Sequence, residues 1–130
     1  MEILLDTCTF LWWVLGSKLI PERTLAVLRD PANRVLLSAV STWEIAVKHA
    51  LGRLPLPASP DELVPRLREQ HHLESLPIRE PETLHLARLP ALHRDPFDRM
   101  LVSQAICHGL QIATPDPLVR AYPCRTFWTL

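Results

Sequence analysis

Short, almost wholly apolar runs alternate along this chain with longer segments patterned as helices, and this alternation restricts the fold more than any other feature. "ILL" (3–5), "RVLLSA" (34–39), "LESLPI" (73–78) and "LQIAT" (110–114) have the length and composition of buried strands, and "TFWTL" (126–130) predicts another. Between them, helices are expected over 7–15, from Pro21 to Arg29, from Ser41 to a stop at Gly52, and over 60–71, 80–89 and 98–109. In the segment from Ser41, the residues Trp43, Ala46, Val47, Ala50 and Leu51 fall on one face. Strands alternating with helices imply a layered α/β fold around a mainly parallel central sheet. In such sheets ligands bind beyond the carboxyl ends of the strands.

The 130 residues suffice for one sizeable core, and no linker, repeat or low-complexity tract divides them, so residues 1–130 are read as a single domain. Thirteen prolines, about twice the usual share of roughly 5%, punctuate the short elements. Fourteen basic and fourteen acidic residues cancel, which argues against a protein that coats nucleic acid but leaves room for a local nucleic-acid site. Three cysteines without a C-x-x-C pair fit a reducing compartment. The chain opens on a strand-like run with no signal-peptide pattern, and its longest apolar run, Phe10 to Leu15, is far below the roughly 20 residues that span a bilayer. A cytoplasmic protein without a membrane segment is the expectation.

Four acids stand out by position. Asp6 and Asp116 each follow a strand, Glu44 follows one after a short turn, and Asp98 opens the helix that leads into "LQIAT". Singly, each has a bland reading. Asp6 can cap the next helix, "STWE" (41–44) is a capping-box pattern, and Glu44 stands four residues before Lys48. Asp98 suits a helix dipole, and Asp116 in "TPDP" suits a turn. Together they fall on one edge of a parallel sheet, where two like charges about 4 Å apart cost roughly 4 kcal/mol at an effective dielectric of 20. Proton uptake or a bound cation must relieve that repulsion, and oxygen-only ligands favour Mg²⁺ or Mn²⁺.

"LLDTCTFLWW", "SAVSTWEIAVK" (38–48), "HRDPFDRMLVSQA" (93–105) and "IATPDPLVRAY" (112–122) together resemble a PIN-domain ribonuclease, and more closely the VapC-like toxins of toxin–antitoxin pairs. The likeness runs over nearly the whole chain with the motifs in order. It implies a three-layer α/β/α fold and a Mg²⁺- or Mn²⁺-dependent endoribonuclease that hydrolyses RNA. It also implies a homodimer and an antitoxin partner whose tail lies across the toxin. The family's acidic constellation falls on Asp6, Glu44, Asp98 and Asp116, with Thr114 at a supporting hydroxyl position. Many members carry Ser or Asn where this chain has Cys8, a weaker hydrogen-bonding group. Asp95, close to Asp98, is read as a loop or helix-entry residue.

Other features have plainer readings. None of the six histidines has zinc-ligand spacing with a cysteine, so surface or structural roles are expected for them. Cys8 has no histidine tied to it by motif and reads as a small buried thiol. "FLWWVL" is apolar nearly all round, so either that helix is fully buried or, the reading slightly favoured, part of it faces another protein. Lys48, Arg94, Arg99 and Arg120 lie near the acids in sequence, either as phosphate contacts or as solvated surface. Two other functions compete. An aspartyl phosphotransferase or phosphatase would use Asp6 as nucleophile but usually has a second aspartate where Cys8 stands. A catalytically silent PIN-fold binding module would not need all four acids intact.

Overall fold

A strand sandwiched between two helical layers must be apolar on both faces, and the central strand here, Ile3–Leu4–Leu5, is fully buried along its length. The computed structural model describes residues 1–130. Its strands are β1 (Glu2–Leu5), β2 (Arg34–Ser38), β3 (Glu74–Leu76), β4 (Gln111–Ala113) and β5 (Arg125–Phe127). Its helices are α1 (Thr7–Val14), α2 (Glu22–Arg29), α3 (Ala39–Ala50), α4 (Pro60–Gln70), α5 (Glu80–His85), α6 (Pro96–His108) and α7 (Pro117–Arg120), with a 3-10 turn over Leu86–Arg88. The sheet is parallel throughout, in the order β3-β2-β1-β4-β5. No helix is long and apolar enough to cross a membrane.

Period-two alternation sorts the strand side chains into two cores. Ile3, Leu5, Val35 and Leu37 pack with Phe10 and Trp13 of α1, Leu25 and Leu28 of α2, and Leu63 and Leu67 of α4. Leu4, Leu36 and Ile112 pack on the other face with Met100, Leu101 and Val102 of α6. The three layers follow from this division.

The order of the strands also places the site. From β1 the chain builds outward through β2 and β3, then returns to add β4 and β5 on the other side, so the topology reverses between β1 and β4. A crevice opens at such a reversal, outside the carboxyl ends of the two strands. Asp6 directly follows β1, and Thr114 and Asp116 follow β4. α6 ends at Gly109, whose positive φ of 67° closes the helix, and its opposite end lies at the carboxyl edge of the sheet.

Two expectations require correction. The helix after β2 begins at Ala39 with Ser38 as its N-cap, so Ser41 is a buried residue inside it and "STWE" is not a capping box. Its buried face is Val40, Ser41, Glu44 and Ile45, whereas the apolar stripe turns outward, with Trp43 49% and Leu51 61% exposed. The "FLWWVL" run, in contrast, is covered by its own chain from Phe10 to Val14, with only Leu15 exposed. Phe10 and Trp13 are buried, Leu11, Trp12 and Val14 pack against the core, and Trp12 meets Trp128 edge-on at 6.3 Å.

The phase of α3 has a direct consequence. Ile45→Ala should cost about 2–5 kcal/mol of unfolding free energy in urea titrations, and Leu51→Ala should stay within about 0.5 kcal/mol of the parent.

Candidate active site

Each of the four acids named from the sequence is set in place by a local feature. Asp6 is the N-cap of α1, and its Oδ1 accepts the Thr9 amide at 2.7 Å. Asp116 caps α7, with Oδ1 accepting the Leu118 amide at 2.9 Å. Glu44 projects from the buried face of α3, and its Oε2 is ion-paired with Lys48 one turn on. Asp98 stands in the first turn of α6, its Oδ2 lying 3.3 Å from Nε2 of His93. Asp6 and Asp116 therefore cap helices and line the cleft at once. Of the two structural readings of Glu44, the pair with Lys48 is present and the capping box is not.

These side chains meet in a cleft of about 470 Å³, whose lining includes Asp6, Cys8, Glu44, Lys48, Asp95, Asp98 and Asp116. Hydroxyls tie its walls together. Thr7 donates to Ser41 at 3.0 Å, joining α1 to α3, and Thr9 donates to the Ala113 carbonyl at 3.0 Å, joining α1 to β4. Thr114 is fully buried, and its hydroxyl accepts the Asp116 amide at 3.1 Å. Asp95 is the N-cap of α6, accepting the Phe97 and Asp98 amides at 2.9 and 3.2 Å, which agrees with its reading as a helix-entry residue. A hollow of about 590 Å³ at the other end of the sheet is lined by Arg29, Arg34, His71 and His72 together with Asp30 and Glu74, a mixed set rather than a cluster of acids.

The electrostatics of the cleft favour added positive charge. Burial raises the Asp6 pKa, against hydrogen bonds from Thr114 and Thr9 that lower it, and the Asp116 charge raises it further. Burial, then the neighbouring Asp95 charge, pushes Asp98 up to about 6, even though the His93 hydrogen bond favours the ionised form. Burial and the charges of Asp6, Glu44 and Asp98 lift the Cys8 thiol to about 11, so it is not a thiolate nucleophile at neutral pH. The residue nonetheless opens onto solvent through the cleft that it lines, contrary to the expectation of a buried thiol.

The residues present fit a divalent cation. Oε1 of Glu44 is buried without a hydrogen-bond partner, in a residue only 5% exposed, and an orphaned carboxylate oxygen of this kind is costly unless a cation meets it. Apart from the Cys8 thiol and the Lys48 ammonium, the polar side chains lining the cleft are carboxylates and the Thr7 hydroxyl, a hard oxygen set that suits Mg²⁺ or Mn²⁺. The carboxylates do not yet clasp a common point, since no three acidic, histidine or cysteine side chains are gathered tightly enough to hold an ion without moving.

With the geometry in view, the relatives can be placed. A PIN domain family model matches residues 3–122. The chain belongs to the PIN domain family. It is 37% identical over 64 residues to Ribonuclease VapC16 of Mycobacterium tuberculosis, a match covering 49% of this chain and 45% of that protein. The chain thus spans less than half the length of that curated relative. Among solved structures, VapBC2 from Rickettsia felis, bound to a promoter DNA fragment, superposes with a TM-score of 0.74 at 14% identity over 99% of this chain and 100% of the other. DNA-bound VapBC from Salmonella typhimurium gives 0.67 at 17% identity over 98% and 97%. At such identities the superpositions establish the PIN fold.

Of the basic residues near the acids, only Lys48 lines the cleft. Arg99 is turned away, donating to the Pro90 carbonyl and the Tyr122 hydroxyl. His93 and Tyr122 were missed as neighbours of the site. They are 29 residues apart, and only the fold brings them together.

A carboxyl that binds its proton more tightly folded than unfolded stabilises the fold fully below its ordinary value of 3.8 and loses that contribution as pH rises through about 6. In EDTA at pH 7.5, Asp98→Asn should therefore be more stable than the parent by on the order of 1–2 kcal/mol, and the gain should shrink toward pH 5. Thermal melts at the two pH values check this, and a loss of stability at pH 7.5 contradicts it.

Proposed function

We propose that this PIN-domain chain is a Mg²⁺- or Mn²⁺-dependent endoribonuclease, the toxin of a toxin–antitoxin pair, acting on RNA in the cytoplasm. The observation that carries the reading is the convergence of Asp6, Glu44, Asp98 and Asp116 on one cleft, with a buried Glu44 oxygen left unpartnered. The identity to Ribonuclease VapC16 supports the activity, and the likeness to VapBC structures supports an antitoxin partner. The two cores on either side of one sheet support reading 1–130 as a single domain.

In this reading the four acids hold the cation and Thr114 fixes the loop that carries Asp116. When bound, the cation supplies charge that polarises the phosphodiester and lowers the pKa of an attacking water. The chain's own residues do the remainder. Asp6 and Asp116 keep fixed orientations because each caps a helix with one oxygen. Lys48, half-exposed in the cleft, pairs with Glu44, and with a cation on Glu44 it would be free to meet a substrate phosphate. The lining contains no histidine, so no imidazole pair is placed to activate a ribose 2′-hydroxyl. Aspartyl phosphotransfer is disfavoured, since Asp6 uses Oδ1 as a cap and Cys8 stands two residues on.

The outward stripe of α3, with Trp43, Val47 and Leu51, supports docking of another protein, whether the antitoxin or a second copy in a homodimer. Arginines on a partner's tail would pair bidentately with the carboxylates and compete with the cation.

Purified protein should cut RNA to leave 5′-phosphate and 3′-hydroxyl ends, stop in EDTA, and recover with Mg²⁺ or Mn²⁺. Asp6→Asn should slow cleavage by at least about 100-fold, the scale of losing a charged group at a reacting centre. Cyclic 2′,3′-phosphate ends, or full activity in EDTA, would overturn the reading.

A further inference from the structure

Behind Asp98 lies a set of polar side chains that the proposed chemistry does not use. Arg99 follows Asp98 on α6, and its Nη1 donates to the Tyr122 hydroxyl at 2.9 Å. That hydroxyl is 2.8 Å from Nδ1 of His93, and Nε2 of the same ring is 3.3 Å from Oδ2 of Asp98. The group is enclosed. Tyr122 is 3% exposed, the His93 ring packs against it with centroids 5.3 Å apart, and the Arg99 guanidinium sits 5.8 Å from the Tyr122 ring centre. Arg99 is itself anchored by the Pro90 and Leu86 carbonyls.

Donor and acceptor capacities give this chain one direction. A guanidinium only donates, so the Tyr122 oxygen accepts from Arg99. The single phenolic proton then has His93 Nδ1 as its acceptor, and a neutral imidazole that accepts at Nδ1 carries its proton on Nε2. That proton points at Oδ2 of Asp98. The opposite tautomer would strand the buried phenolic proton and set a bare Nε2 lone pair against a carboxylate. Oδ1 of Asp98 takes no part in the chain.

We propose that Arg99, Tyr122 and His93 form a one-way hydrogen-bond chain that holds Oδ2 of Asp98 and presents Oδ1 to a divalent cation, which makes His93 a positioning residue of the site. The proposal rests on the reading of the cleft as a cation site. Groups that orient a metal-binding carboxylate act on affinity without touching the ion, because they remove the cost of ordering it. His93 sits at the head of the "HRDPFDR" segment, five residues before the carboxylate it holds, and the Tyr122 ring that fixes it arrives from beyond α7.

Mn²⁺ titration of the RNA-free protein, followed by the electron paramagnetic resonance of the free ion, tests this with thermal melts confirming that each variant is folded. Asp98→Asn should lose most of the affinity. His93→Phe, which keeps a ring but no donor, should weaken Mn²⁺ binding by about 10- to 100-fold. His93→Gln, which can place an amide N–H near the position of Nε2, should recover much of that loss, and Tyr122→Phe should weaken binding by roughly 2- to 10-fold. A folded His93→Phe with parental affinity overturns the proposal, as does a Tyr122→Phe that matches the parent or a His93→Gln as weak as the Phe variant. If His93→Phe fails to fold, the other two variants decide. Should Asp98→Asn also bind Mn²⁺ like the parent, the cation reading itself falls, so the two failures are told apart.

Discussion

Like charges held at the carboxyl edge of an apolar sheet are the constraint around which this molecule is arranged. Asp6 and Glu44 are buried, and Asp98 and Asp116 are partly covered, in a cleft whose floor is the ends of β1 and β4. Burial removes the water that would otherwise stabilise each carboxylate and strengthens the repulsion between them. A single hydrophobic edge would have been more stable. The raised pKa values of Asp6 and Asp98 follow from that burial first and from the neighbouring acids second.

The protein contains the repulsion by holding one oxygen of every carboxylate. For Asp6 and Asp116 the holder is a helix N-terminus, through the Thr9 and Leu118 amides. For Glu44 it is Lys48, and for Asp98 it is the His93 ring. Helix caps, an ion pair and an imidazole thus do equivalent work. Each fixes a side-chain orientation on the sheet-and-helix frame and leaves capacity directed into the cleft. The buried bonds that lock the frame lie close by. Ser38 donates to Gln104 at 2.5 Å, Gln104 donates to the Pro77 carbonyl at 3.1 Å, and together they join the end of β2 to α6.

Much of this was legible in the sequence because the strands are short, continuous apolar runs and the acids follow them. The mainly parallel sheet, and the placing of Asp6 and Asp116 after strands, come from that pattern alone, whereas the strand order β3-β2-β1-β4-β5 does not. The phase of α3 was harder. Amphipathic period reasoning assigns apolar residues to the interior, but here the polar Ser41 and Glu44 share the buried face with Val40 and Ile45, and Trp43, Val47 and Leu51 lie at the surface. α7 is a single turn, too short to show a period. The His93–Tyr122–Arg99 cluster leaves no local trace, since no spacing rule joins residue 93 to residue 122. Capping does not exclude a place in the cleft, because Asp6 and Asp116 each cap a helix with one oxygen and still line it.

The central claim is that the four carboxylates share a cation. Anomalous diffraction from crystals soaked in Mn²⁺ tests it most directly. The account predicts a manganese peak in the cleft, coordinated by oxygens of Asp6, Glu44, Asp98 or Asp116, with Oε1 of Glu44 no longer without a partner. Manganese bound only elsewhere, or an empty cleft whose Glu44–Lys48 pair is unchanged at saturating Mn²⁺, would contradict it.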